Sequence, residues 1–161
     1  QTGDQFHIEV AAYPECHPEA STLHDDVLAL KYKQQAGANR AITQYFYNSD
    51  SYYHYCELCQ KNNVTLPIVP GIMPITNFDN LKRFSARCEA EMPRWLVKQM
   101  DHYAGDTQSQ TALGLDVVTH LCEQLIAMGV SEFHFYTLNR SKATIAILNR
   151  LGITAPQSAK L

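Results

Sequence analysis

The chain has no apolar run long enough to cross a bilayer. Its longest such stretches, Leu66–Ile72 and Leu125–Val130, are interrupted by Pro or Gly and fall far short of the roughly 20 residues a spanning helix needs. Basic blocks are also missing. The 13 Lys and Arg are scattered among 16 Asp and Glu, for a net charge of -3, which offers no face to nucleic acid or to an anionic membrane. There is no disulfide framework either: Cys16, Cys56, Cys59, Cys88 and Cys122 are odd in number and unpatterned, as suits reduced thiols and a cytoplasmic location. The opening residues, Gln1-Thr2-Gly3-Asp4-Gln5, carry neither an initiator Met nor the basic-then-apolar pattern of a signal peptide. The sequence is therefore expected to begin inside a longer protein.

What is present is a rhythm. With 161 residues, 45% of them hydrophobic, one core and a single unit over residues 1–161 are expected. Phe6–Ala12 alternates apolar and polar residues and ends at Tyr13-Pro14, which reads as a strand closed by proline. Ser21 or Thr22 can cap a helix whose apolar residues Leu23, Val27, Leu28 and Leu30 lie at helical spacing, with Gly37 placed to end it. The same order recurs as strand Ala41–Phe46 with helix Asp50–Asn62, and strand Pro67–Ile72 with helix Asn77–Ala90. Helices around Trp95–Tyr103 and Thr107–Met128 then precede a strand at Glu132–Tyr136 and a helix at Ser141–Leu151. Parallel neighbours need helical crossovers, so this alternation predicts an α/β fold of βα units, the fourth carrying an extra helical insertion. A closed (βα)8 barrel typically takes about 250 residues, so four units predict half of one.

In such a fold the chemistry sits at the C-terminal ends of the strands. Those ends are Ala11-Ala12-Tyr13-Pro14-Glu15-Cys16-His17-Pro18-Glu19-Ala20, Arg40-Ala41-Ile42-Thr43-Gln44-Tyr45-Phe46, Pro70-Gly71-Ile72-Met73-Pro74-Ile75 and Phe133-His134-Phe135-Tyr136-Thr137-Leu138-Asn139-Arg140. Taken together they resemble the bacterial methylenetetrahydrofolate reductases, over almost the whole chain, and specifically the second half of that family's TIM barrel.

The resemblance implies a flavoprotein oxidoreductase of one-carbon and methionine metabolism. It would pass a hydride from NADH or NADPH through FAD to methylenetetrahydrofolate, giving methyltetrahydrofolate. Tyr13, His17, Ala20, Asp26 and Lys33 would contact FAD, with Asp26 accepting hydroxyl hydrogen bonds and Lys33 meeting phosphate. Gln44 would bind both substrates in turn, Asn80 and Phe84 would lie on the substrate side with Phe84 stacking on an aromatic ring, and Tyr136, Leu138 and Arg140 would complete the wall. Arg140 would hold the folate's glutamate tail through a planar pair of bonds. The family's general acid, a Glu on the first barrel strand, lies in the absent N-terminal half; Glu15 belongs to the Tyr-Pro-Glu element and is not its equivalent. Ala29 and Tyr32 stand where relatives carry Asn and Arg, and Asn80 where they carry Gln, which predicts weaker FAD binding. Without a Gly-rich fingerprint nothing separates NADH from NADPH.

Cys56-x-x-Cys59, near His54, has metal-ligand or redox spacing, but no second ligand pair follows and an aromatic-rich helix surrounds it, so it reads as structural and no metal is expected. His24, His102 and His120 read as helix-surface or satisfied core residues. Two alternatives stay open beside the reductase fragment. One is a non-catalytic half-barrel that self-associates through its edge strands, and the other is a small flavin- or nucleotide-binding module. The partner of the chain is accordingly expected to be the N-terminal half-barrel or a second copy.

Overall fold

A computed structural model describes residues 6–153. Strand pairing begins later than the alternation of Phe6–Ala12 predicts, with β1 confined to Glu9–Ala12. Residues 1–5 and 154–161 of the predicted unit lie outside the described residues. Helix α1 (Leu23–Gln35) starts where Thr22 Oγ1 accepts the Asp25 amide. It ends where the Gly37 and Ala38 amides return to the Gln34 and Lys33 carbonyls, a turn that requires the positive φ of 104° at Gly37.

The remaining elements follow in order: β2 (Arg40–Thr43), α2 (Ser49–Lys61), β3 (Ile68–Val69), β4 (Gly71–Ile72), α3 (Phe78–Cys88), α4 (Arg94–His102), α5 (Thr107–Ala127), β5 (His134–Phe135) and α6 (Ser141–Arg150). The predicted strand Pro67–Ile72 is divided at Pro70, which has no N–H to give a ladder. Its first part pairs with β2, Ala41 beside Ile68, and its second with β5, Gly71 beside His134. All pairings are parallel and β1 lies beside β2, so neighbours follow chain order from β1 through β5. Two bonds carry the sheet across the break: Pro70 O accepts the His134 amide, and the Gly71 amide donates to Thr43 Oγ1 at 2.8 Å.

One face of this sheet is covered. Ala12 and Ala41 pack with Val27, Leu30, Tyr55, Cys59 and Val64 beneath α1 and α2, while a larger cluster gathers Phe46, Ile72, Phe78, Leu96, Leu121, Leu125 and Ile147. Each fully buried Val, Leu, Ile or Phe side chain among these contributes about 1.5–3 kcal/mol. The other face is open: Glu9 and Ala11 are exposed, Arg40 and Ile42 half-buried. There Arg40 bridges Glu9 and Glu132, tying β1 to the entry of β5.

The prediction of Asn77–Ala90 as a third covering helix is corrected in one respect. Helix α3 lies over the C-terminal end of β2, with Phe84 stacked on Tyr45 and Cys88–Ala90 beside Tyr13–Cys16, so α3 and α4 together form the insertion and α5 makes the crossover to β5. The predicted strands Ala41–Phe46 and Glu132–Tyr136 also shorten to Arg40–Thr43 and His134–Phe135. Beyond Thr43 the Tyr45 amide turns to Gln44 Oε1 and leaves the ladder.

Candidate functional site at the strand ends

The loops after β1, β2, β4 and β5 meet at the C-terminal rim of the sheet, where backbone and side chains are held in unusual ways. Cys16, Glu89, Leu138 and Asn139 all have positive φ, between 47° and 74°. Left-handed non-glycine residues cost energy and concentrate at ligand-facing loops.

On the β1 side, the Tyr13 and His17 rings meet edge-on with centroids 4.4 Å apart. His17 Nδ1 accepts the Glu19 amide at 3.1 Å, so the neutral ring carries its proton on Nε2. His17 O accepts the Ala20 amide, which folds the loop back towards α1. Asp26, in the first turn of α1, is only 5% exposed, and its Oδ2 has no hydrogen-bond partner. Burial pushes the carboxyl up from its ordinary range, while the Lys33 ammonium and His17 pull it down. A buried acceptor left unmatched costs about 1–3 kcal/mol, a cost that a hydroxyl donor from a ligand would remove. Lys33 Nζ donates to Ala11 O at 3.0 Å, on the edge of β1 that faces away from β2. Tyr32 is 69% exposed and Ala29 is exposed, so neither of these departures from the family pattern enters the core.

On the β2 side, the Gln44 amide donates to Ala12 O and its Oε1 accepts the Tyr45 amide at 3.1 Å. Tyr136 Oη donates to Thr43 O at 2.9 Å, so this predicted nucleotide neighbour also bolts β5 to β2. Phe84 is half-buried, with its ring centroid 6.1 Å from that of Tyr45. Asn80 is exposed and accepts from Arg83 Nη2. Leu138 is 62% exposed, and Arg140 sits at the N-terminus of α6. Arg140 borders a cleft of about 590 Å³ whose walls include Pro74, Ile75, Leu115 and Ile147. The rim thus brings Tyr13, His17, Asp26, Gln44, Phe84 and Tyr136 round the ends of β1 and β2, whereas Arg140 and Leu138 stand at the β5 end.

Sequence reasoning missed Tyr45, Ser85 and Gly71, which join elements through contacts that leave no local pattern. It considered Glu15 only to set it aside as the general acid. Burial and the nearby Glu91 charge push the Glu15 carboxyl up to about 7, against a backbone hydrogen bond from Glu91 that lowers it. Cys59, whose thiol burial pushes up to about 12, is inert packing, and among the described residues no group of three or more His, Cys, Asp or Glu could hold a metal ion. Among the same residues no helix is long and apolar enough to cross a membrane.

Parallel strands in chain order, helical crossovers and a polar, aromatic rim at the strand C-termini define an α/β protein, a class in which ligands are bound at the strand ends. The family model described as methylenetetrahydrofolate reductase matches residues 1–152. Proteins named 5,10-methylenetetrahydrofolate reductase from Buchnera aphidicola subsp. Schizaphis graminum and Escherichia coli K12 are 43% and 40% identical to the chain, each over 92% of it. A maize protein named methylenetetrahydrofolate reductase (NADH) 1 is 36% identical over 94% of the chain and 27% of its own length. The chain belongs to the methylenetetrahydrofolate reductase family. It spans about half the length of the bacterial relatives, 51% and 50%. A solved structure of an uncharacterized protein from Clostridium thermocellum, described as binding two copies of 5-methyl-5,6,7,8-tetrahydrofolic acid, shares the fold with a TM-score of 0.62 at 20% identity. It is covered over 91% of this chain and 53% of its own.

Proposed function

We propose that these residues form the second half of a (βα)8 barrel and the cofactor- and folate-facing wall of a cytoplasmic reductase that converts 5,10-methylenetetrahydrofolate to 5-methyltetrahydrofolate. The observation that carries this is the buried, unpartnered Oδ2 of Asp26 beside His17 and Tyr13. A buried carboxylate oxygen without a partner calls for a donor, and the ribityl and ribose hydroxyls of FAD are donors of the right kind. The residues on this side fit that group. Tyr13 offers an aromatic edge, His17 an Nε2–H, and Lys33 an ammonium that donates to an edge carbonyl of β1. When bound, FAD supplies the carrier that takes hydride from NADH or NADPH and hands it to the folate.

The other residues bind and orient. Gln44 carries both donor and acceptor and suits the amide edge of a pterin or of nicotinamide. Phe84 presents a half-buried ring for stacking on an aromatic substrate. Arg140, exposed at the rim, suits a carboxylate such as the glutamate tail, in the two-bond geometry that guanidinium permits. Protonation of the substrate falls to a group on the N-terminal half. Support for that missing partner comes from the open sheet face, from strands β1 and β5, each paired on one side only among the described residues, and from the half-length match to relatives.

The test uses the full-length gene product carrying these residues. It should bind FAD and reduce methylenetetrahydrofolate with a reduced nicotinamide cofactor. Asp26→Ala should raise the flavin dissociation constant about tenfold or more, since a charge-assisted hydrogen bond contributes about 1.5–3 kcal/mol, as read by fluorescence quenching of free FAD. An unchanged flavin affinity would remove Asp26 from the cofactor wall, and a protein that binds no flavin would remove the reading itself.

A further inference from the structure

Tyr45 and Ser85 are both buried, at 2% and 1% exposure, and their hydroxyls meet at 2.9 Å across a separation of 40 residues. They belong to different elements. Tyr45 follows Gln44 directly at the end of β2, and Ser85 follows Phe84 directly in α3. The Tyr45 ring lies against the Phe84 ring at an interplanar angle of 25°, with the Tyr136 ring edge-on at 6.3 Å on another side. The Tyr45 amide is held by Gln44 Oε1. One tyrosine therefore touches three residues to which the resemblance gives substrate contacts, while its own hydroxyl points into the interior and no substrate role falls to it.

We propose that Tyr45 and Ser85 form a positioning pair that fixes the rotation of α3 and thereby the distance between Phe84 and Gln44, the gap that admits a flat aromatic ligand. This rests on the substrate roles proposed for those two residues. Successive residues on a helix are separated by about 100°, so a bond at Ser85 sets the direction of Phe84 beside it. Phe78 and Leu81 bury the same face of α3, but apolar contacts are non-directional and admit small rotations. A hydroxyl pair at fixed distance does not. Burial also raises the Tyr45 hydroxyl above its ordinary pKa, so it keeps its proton throughout the working pH range, although the Ser85 contact opposes the shift.

Loss of one hydroxyl leaves the other buried and unpaired, whereas loss of both leaves an apolar contact of nearly the same shape. In the full-length protein, Tyr45→Phe and Ser85→Ala should each raise KM for the folate and for the nicotinamide cofactor about three- to tenfold, with kcat changed by less than about twofold. The double variant should recover KM to within about twofold of the parent. Hydrogen exchange supplies a readout independent of turnover: amides of α3 should exchange faster in either single variant and return towards the parent rate in the double. Single variants that lose thermal stability with KM and α3 exchange unchanged would overturn the proposal, as would a double variant in which the two effects add. If the parent does not reduce the folate, the reductase reading fails by itself, and α3 exchange in the three variants still decides whether the pair sets the helix.

Discussion

Gly71→Ala should destabilise the chain by about 3 kcal/mol or more, the largest effect expected of any single methyl group in the structure. A Cβ at this position would lie 2.2 Å from Thr43 O and 2.6 Å from the Tyr136 ring, and the first of these is backbone that cannot swing aside. Overpacking alone typically costs about 1–3 kcal/mol. Here it also separates β2 from β4 at the point where the Gly71 amide meets Thr43 Oγ1 and Tyr136 Oη meets Thr43 O. Those two bonds add about 1 kcal/mol each when lost. Out of the 5–15 kcal/mol usual for a domain, this is a large share. Urea denaturation checks it: the midpoint should fall with the slope unchanged. Gly37→Ala is the control, because Gly37 needs its φ of 104° but has open space where a Cβ would go. That substitution should cost only about 1–2 kcal/mol. A loss at Gly71 no larger than that at Gly37 would contradict the close approach as the reason for Gly71.

The contrast between these two glycines shows what a sequence makes visible. Gly37 follows a helix with a capping Thr22 at its start, a local signature of start and stop, and α1 lies where that signature places it. Gly71 is required by Thr43 and Tyr136, residues 28 and 65 positions away, and no local pattern announces it. The same difference separates the parts of the site. Asp26 reads as a hydroxyl acceptor through family resemblance, while by residue type alone it would read as a solvated first-turn acid; its burial under the β1 loop depends on tertiary packing. The path of α3 was hidden for a related reason. The spacing of Phe78, Leu81, Ser85 and Cys88 says which face is apolar, but not that the face would meet Tyr45 above the strand end. Strand lengths were overread because Gln44–Phe46 and Tyr136 continue an apolar, β-prone pattern, yet the Tyr45 amide turns to Gln44 Oε1, the Tyr45 hydroxyl meets Ser85 and the Tyr136 hydroxyl donates to Thr43 O, all outside any ladder.

Glu15→Gln should stabilise the chain above neutral pH, by about 2 kcal/mol once its partial exposure is allowed for. The sign follows from where the proton is held. Burial first, and then the Glu91 charge, push the native carboxyl from 4.5 up to about 7. Between those two values the folded chain binds more protons than the unfolded one, so stability falls as pH rises. The cost is absent below about 4.5 and complete above about 7. A glutamine keeps the shape and cannot ionise, so the variant should match the parent in acid, exceed it at pH 8, and lose most of the descending limb between. Asp26, also raised by burial, leaves a residual slope of the same sign in the variant. Glu91→Gln removes only the second cause and should recover a smaller part of the stability. A parent whose urea midpoint rises from pH 5 to 7.5 would contradict this account, because the carboxyl would then be stabilised in its charged form. The location gives the measurement a wider meaning. Glu15 shares a small cleft with Tyr13, Gln44, Tyr45 and Cys88, so a carboxyl that ionises there with rising pH places negative charge where the β1 loop meets the end of α3. The pH range in which the chain weakens is therefore the range in which the rim itself should loosen first.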